Sequence, residues 1–182
     1  SISPSETATP TSLAPVYLYF VGDTGTDLRL YREVHRLRVA SDRGLSALQI
    51  LVDQHFVPSD SDYTNLWKAG SRINGITRTG SVATVDITVG PLNVGAEGEL
   101  RAIQQIVWTL TANDYSIHTV RFRHNGQPID TFAGHVDTTT TFSRGSALDT
   151  LASVWVTSLA VSLNHRIVVQ GVACTFEAAV PW

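Results

Sequence analysis

Methionine is absent from all 182 residues, cysteine occurs once, at Cys174, and Lys68 is the lone lysine among thirteen basic side chains. Each shortage removes a class of protein. One cysteine permits no intrachain disulfide and no zinc site built from several thiolates. Set in an apolar run, Cys174 reads as a small buried hydrophobe. With no Met, Ser1 is not a natural start, and a processed or trimmed chain is expected. No run approaches the ~18–20 apolar residues that span a bilayer, and no secretory leader is evident. The net charge of −3 is too small to argue for nucleic acid or an acidic membrane surface. Arginine standing in for lysine almost throughout reads as codon bias in a GC-rich genome.

Catalytic motifs are missing as well. The six histidines (His35, His55, His118, His124, His135 and His165) form no HxxxH or HExxH pair for a metal. There is no GxSxG elbow, and the segment "GPLNVGAEG" ahead of a helix lacks the Lys-Ser/Thr ending of a P-loop. Asp23 and Asp27 in "GDTGTD" lack the further oxygen ligands of a calcium loop, so this stretch reads as a turn. Two carboxylates brought together by folding remain possible, but nothing singles out a pair. The expectation is a non-enzymatic protein with no metal and no cofactor.

What is present is an ordinary globular body, 43% apolar and 16% charged. Residues 1–15, rich in Ser, Thr and Pro, read as a flexible tether. "VYLYFV" (16–21) predicts a strand buried on both faces. "LRLYREVHRLRV" (28–39) sets Leu28, Leu30, Val34, Leu37 and Val39 against Arg29, Arg32, Arg36 and Arg38. It predicts a strand, or a bent strand pair, with an arginine-rich wet face. Ser41 or Asp42 can cap a helix over 44–56, with Leu45, Leu48, Leu51 and Val52 as its stripe and Pro58 as its stop.

After a polar loop, "SRINGITRT" and "SVATVDITV" predict a hairpin turning at Thr79-Gly80. A second helix over 97–111 carries Leu100, Ile103, Ile106, Val107 and Leu110, with Trp108 at its flank or at an interface. A strand follows, with Val120 and Phe122 inward and Arg121 and Arg123 outward, closed by a type I′ turn at Asn125-Gly126. The class predicted is α+β: a mixed β-sheet with two helices covering one face, in β-β-α-β-β-α-β-β order.

Three stretches resemble the GerMN domain of bacterial sporulation and germination proteins. They are "VYLYFVGDTGTDLRLYREV", "GSRINGITRTGSVATVDIT" and "AEGELRAIQQIVWTLTAND…IHTVRFRHNGQPID". The last, a helix followed by a strand and "NGQPI", is the most specific. The final stretch, residues 148–182, resembles the first strands of the immunoglobulin-like domain that follows GerMN in many such proteins. Val169-Gln170-Gly171-Val172-Ala173 and Thr175-Phe176-Glu177-Ala178 through Trp182 carry that likeness. The expected division is a linker over 1–15, a GerMN-like domain over 16–147 and an incomplete sandwich over 148–182. Those last strands are expected to pair with a sheet edge of the first domain or with another copy.

The resemblance implies an extracytoplasmic envelope protein, often a lipoprotein whose anchor lies upstream. It would act through contacts with other envelope proteins or with itself, in rings or channels, and not on nucleic acid. Arg29, Arg32, Arg36 and Arg38, with Trp67 and Trp108, are the candidate interaction surface. A second reading is a module for cell-wall glycan or a small envelope ligand, with Tyr63, Trp67 and Trp108 as stacking platforms.

Overall fold

The computed structural model describes residues 12–53, 56–161 and 166–173. The β-branched and aromatic run lies in strand β1 (Ser12–Asp23), with Val16, Leu18, Phe20 and Val21 fully buried. The strand begins at Ser12, inside the stretch expected as a tether, because Ser12 to Pro15 find partners on β2 (Leu28–Val39). The two strands pair antiparallel without a break, from Ser12 opposite Val39 to Asp23 opposite Leu28. Asp23 and Asp27 are spent on the turn between them: Gly25 N donates to Asp23 Oδ1 at 2.7 Å and Thr24 Oγ1 to Asp27 Oδ1 at 2.6 Å.

Asp42 is the cap of helix α1 (Arg43–Val52), accepting from Leu45 N at 2.8 Å. The helix stops at Val52, ahead of the expected boundary. Asp53, at its C-cap, accepts a 2.6 Å hydrogen bond from Ile73 N, which ties the end of the helix to β4. His55 lies outside the described residues. Within the loop read as polar, strand β3 (Tyr63–Thr64) pairs with Val21 and Gly22 of β1.

Strands β4 (Arg72–Thr79) and β5 (Val82–Thr88) form the predicted hairpin. Ala83, Val85 and Ile87 are fully buried on one face of β5. Helix α2 (Ala96–Asn113) crosses over to β6 (Thr119–His124), which runs parallel to β5. Asn125 (φ 51°) and Gly126 (φ 80°) then turn the chain into β7 (Gln127–Pro128) with the left-handed geometry expected of both. Strand β8 (Phe142–Ser143) also pairs with β6, and a short helix α3 (Ala147–Thr150) follows.

The α+β class stands, but the strands divide. β2-β1-β3 make one sheet, and β4 to β8 make a second, mixed one. The reason is α2. It is buried on nearly every side, from Ala102 through Asn113, and packs on α1, β1, β2 and β6. Leu100, placed in its apolar stripe from the sequence, is 38% exposed.

Along α2, Gln105, Thr109 and Asn113 lie at i, i+4, i+8 and take the place of a strand against the free edge of β1. Asn113 exchanges both backbone hydrogen bonds of Tyr17 (3.1 Å from N, 2.7 Å to O). Thr109 Oγ1 accepts from Tyr19 N at 3.2 Å, and Gln105 Nε2 donates to Tyr19 O at 2.8 Å. These polar side chains satisfy buried backbone that the sheet leaves open.

Strands β9 (Val154–Val161) and β10 (Ile167–Ala173) form their own two-stranded sheet, with a bulge at Gln170/Gly171. The expectation that they join an edge of the first sheet is met only ahead of β9. There Leu151 bridges Leu30, and Ala152 N donates to Leu30 O at 3.0 Å. Cys174 and the "TFEA" motif lie outside the described residues.

Candidate functional site

Strand parity decides the fate of the four arginines. Arg32, Arg36 and Arg38 occupy even positions on β2 and share a face; Arg29 is odd and points the other way. Arg29 is bound locally, by Asp27 (Nε to Oδ2, 2.7 Å) and by the carbonyl of Leu148. Its hydrogen bond to Asp27 raises the guanidinium further above its already high range. The candidate strip therefore loses Arg29.

Across β1, the same face presents Tyr19 beside Arg32, Tyr17 beside Val34, Pro15 beside Arg36 and Leu13 beside Arg38. Its end near the turn is sealed, with Val21 and Leu30 fully buried, whereas Leu13 is 58% and Val34 53% exposed at the other end. Arg32 and Arg43 both lie over the Tyr17 ring, at 5.8 and 5.4 Å from its centroid. Burial pushes the Tyr19 phenol up, partly offset by the nearby Arg32 and Arg144 charges.

Trp67 and Trp108 do not belong to a surface. Trp67 is 1% exposed and Trp108 6%, and neither indole Nε1 has a hydrogen-bond partner among the described residues. Trp67 packs edge-on against Phe132 (5.7 Å), which meets Phe122 the same way at 5.2 Å. Trp108 lies 5.5 Å from Tyr19 and under the guanidinium of Arg144 at 4.4 Å. Trp67 sits in a loop without periodicity, which carries no sequence signal of burial, whereas Trp108 sits in α2, where contacts from distant segments cover it.

Tyr63 is half-buried, stacked on Tyr31 at 4.3 Å and 25°. A pocket of about 350 Å³ beside the pair is lined also by Asp23, Asp60 and Asp62. Burial first, then the surrounding carboxylates, push the Tyr63 phenol up to about 12.

Two charged clusters were not anticipated. Arg78 of β4 grips Asp42 with both terminal nitrogens (2.9 and 2.8 Å) and Asp114 with Nε (2.9 Å), tying the start of α1 to the end of α2. Glu99, fully buried in the first turn of α2, takes five hydrogen bonds from residues 131–136. Burial opposes its charge, but the hydrogen bonds led by Ala133 N hold the carboxyl below its usual range. Among the described residues no group of three or more His, Cys, Asp or Glu is placed to hold a metal ion.

The features at 12–150 define an α+β domain of two sheets with a buried central helix and an exposed cationic hairpin face, to which the β9–β10 sheet is joined. Residues 17–130 match the family Germane, sporulation and spore germination, and the chain belongs to that family. The first GerMN domain of the sporulation protein GerM from Bacillus subtilis is 21% identical, with a TM-score of 0.57 over 72% of this chain and 98% of that one. The tandem GerMN domains of the same protein are 20% identical, with a TM-score of 0.56 over 75% of this chain and 47% of that one. A Clostridium perfringens protein carrying a provisional lipoprotein designation is 20% identical, with a TM-score of 0.50 over 79% and 93%. At these identities the likeness shows the fold. No match is found among curated protein sequences.

Proposed function

We propose that this chain is a non-catalytic module of the bacterial cell envelope, serving a sporulation- or germination-related process through protein–protein contacts. Family membership supports the process, and the lipoprotein designation of the Clostridium perfringens neighbour supports the compartment. No helix among the described residues is long and apolar enough to cross a membrane. The observation that carries the reading is the open end of the β1–β2 face. Leu13 stands exposed there opposite Arg38, and Val34 next to Arg36 along the same face of β2; neither arginine has an ion-pair partner among the described residues. Apolar and cationic groups side by side suit an acidic, partly apolar protein surface.

The double variant Arg36→Glu/Arg38→Glu is expected to weaken capture of the envelope partner by about tenfold or more. Arg121→Glu/Arg123→Glu, on the second sheet, should leave capture unchanged. Equal capture by wild type and the first variant would remove this face from consideration.

A second reading rests on the Tyr31–Tyr63 stack beside Asp23, Asp60 and Asp62, a combination of aromatic face and carboxylates that suits a sugar. Of the three aromatics read as a platform, this keeps Tyr63, joined by Tyr31, and leaves out Trp67 and Trp108. A glycan binder would be retained on cell-wall material and released several-fold more readily by Tyr63→Ala. Retention unaffected by that change sinks the second reading.

A further inference from the structure

Arg144 is held in place with unusual completeness by one flank of α2. Gln104 clamps its backbone on both sides, donating to Ser143 O at 3.1 Å and accepting from Gly145 N at 2.8 Å. Four residues on, Trp108 supports the guanidinium plane at 4.4 Å. Three residues further, Thr111 Oγ1 accepts from Arg144 Nε at 2.7 Å while donating to Val107 O at 2.7 Å. These positions repeat at i, i+4, i+7, so one helix face positions one arginine. Yet no carboxylate pairs with Arg144 among the described residues. Arg144 is exposed, so its terminal N–H groups, which take no partner among the described residues, face solvent from a fixed position and are open to an anion.

Next to it is a pocket of about 330 Å³ lined by Arg144, Thr111, Tyr115, Ile117, His118 and Ser143. No acidic side chain lines it. Asp114, the nearest in sequence, is occupied by Arg78 and Ser116. We propose that this pocket binds a phosphate group. The Arg144 fork and the Ser143 hydroxyl come from one segment, and the Tyr115 hydroxyl and the His118 ring from a second, the loop after α2. They offer more donors, in more directions, than the two oxygens of a planar carboxylate can use. The group can belong to free phosphate or to a phosphodiester of an envelope polymer or lipid headgroup. This site is separate from the Leu13–Arg38 face and does not depend on its role.

The test is a titration of the ¹⁵N-labelled chain at constant ionic strength, following backbone amides and arginine Nε–H signals. The probes are inorganic phosphate, glycerophosphoglycerol and acetate. Phosphate is expected to move Arg144 Nε–H and the Tyr115 and His118 amides along one saturating curve. Arg144→Gln should weaken that curve by at least about tenfold. Gln104→Leu, which keeps the charge but frees the loop, should weaken it by a smaller factor, and Arg123→Gln should not change it. Should Arg144→Gln lose its dispersed spectrum, Arg144→Lys supplies the same readout, several-fold weaker through loss of the fork. Glycerophosphoglycerol binding as tightly as phosphate identifies a phosphodiester source; phosphate binding alone identifies the free ion. A curve unchanged in Arg144→Gln, shifts spread evenly over all arginines, or acetate binding as tightly as phosphate overturns the proposal.

Discussion

Glu99→Ala is expected to lower the stability of the folded chain by about 3–5 kcal/mol, read from the midpoint of a urea transition. Among the described residues the carboxylate pairs with no cation; its charge is held by hydrogen bonds alone. Oε1 accepts from Thr131 Oγ1 (2.7 Å), Phe132 N (2.8 Å) and Ala133 N (2.8 Å), and Oε2 from His135 N (2.8 Å) and Val136 N (3.1 Å). The first turn of α2 adds its own favourable dipole. Alanine leaves five donors without an acceptor, four of them backbone N–H groups. Glu99→Gln is the sharper variant. Its shape is nearly the same, but one end of the amide sets N–H groups against N–H groups, and a loss of about 2–4 kcal/mol is expected.

The pH dependence follows from the sign of the shift. Because the folded carboxyl lies below the unfolded value, its contribution is complete above the ordinary glutamate range near ~4.3 and fades as pH falls through the lower folded value. The gap between wild type and Glu99→Gln should therefore be widest near neutrality and narrow in acid. Amide exchange at Phe132, Ala133, His135 and Val136 should quicken in both variants. A Glu99→Gln protein as stable as wild type at pH 7 would refute this account of the loop.

Trp67→Ala should cost about 3–5 kcal/mol, the usual range for emptying a large aromatic site in a core. The side chain is 1% exposed and closes a row of rings that continues through Phe132 to Phe122 and on to Phe142. Trp67→Phe should cost distinctly less. It loses volume, but it also removes an indole N–H that is buried without a partner. Thermal or urea unfolding of the two variants gives the comparison. Were Trp67→Ala to unfold like wild type, the indole would have to lie outside the core.

Much of this fold can be read locally. The alternation in β5 and β6, the Asp42 cap and the Asn125-Gly126 turn each depend on neighbours two to four residues away, and each occurs where the pattern places it. The division into two sheets cannot be read in that way. It depends on α2 meeting β1 some 86 to 96 positions away through Gln105 and Asn113. Polar residues at Gln105, Thr109 and Asn113, recurring every fourth position beside the apolar stripe, were the available hint.

The arginine strip is a different case, since parity alone separates Arg29 from Arg32, Arg36 and Arg38. The Arg144 pocket had no local signal, because its parts are joined by a loop folding back onto a helix. For Trp108 the sequence left open the flank of the helical stripe or an interface; its burial depends on Tyr19 and Arg144, residues supplied by distant segments.

The helix laid along β1 has a consequence for how the hairpin sheet can grow. Its amide and hydroxyl side chains occupy the positions an incoming strand would use, so that border is shut. The opposite border, along β2, is already engaged at Leu30 by the Leu151–Ala152 segment. Among the described residues, the stretch of β2 beyond Leu30 is what this sheet leaves for a strand of another chain, so its growth by edge pairing is confined to that one margin.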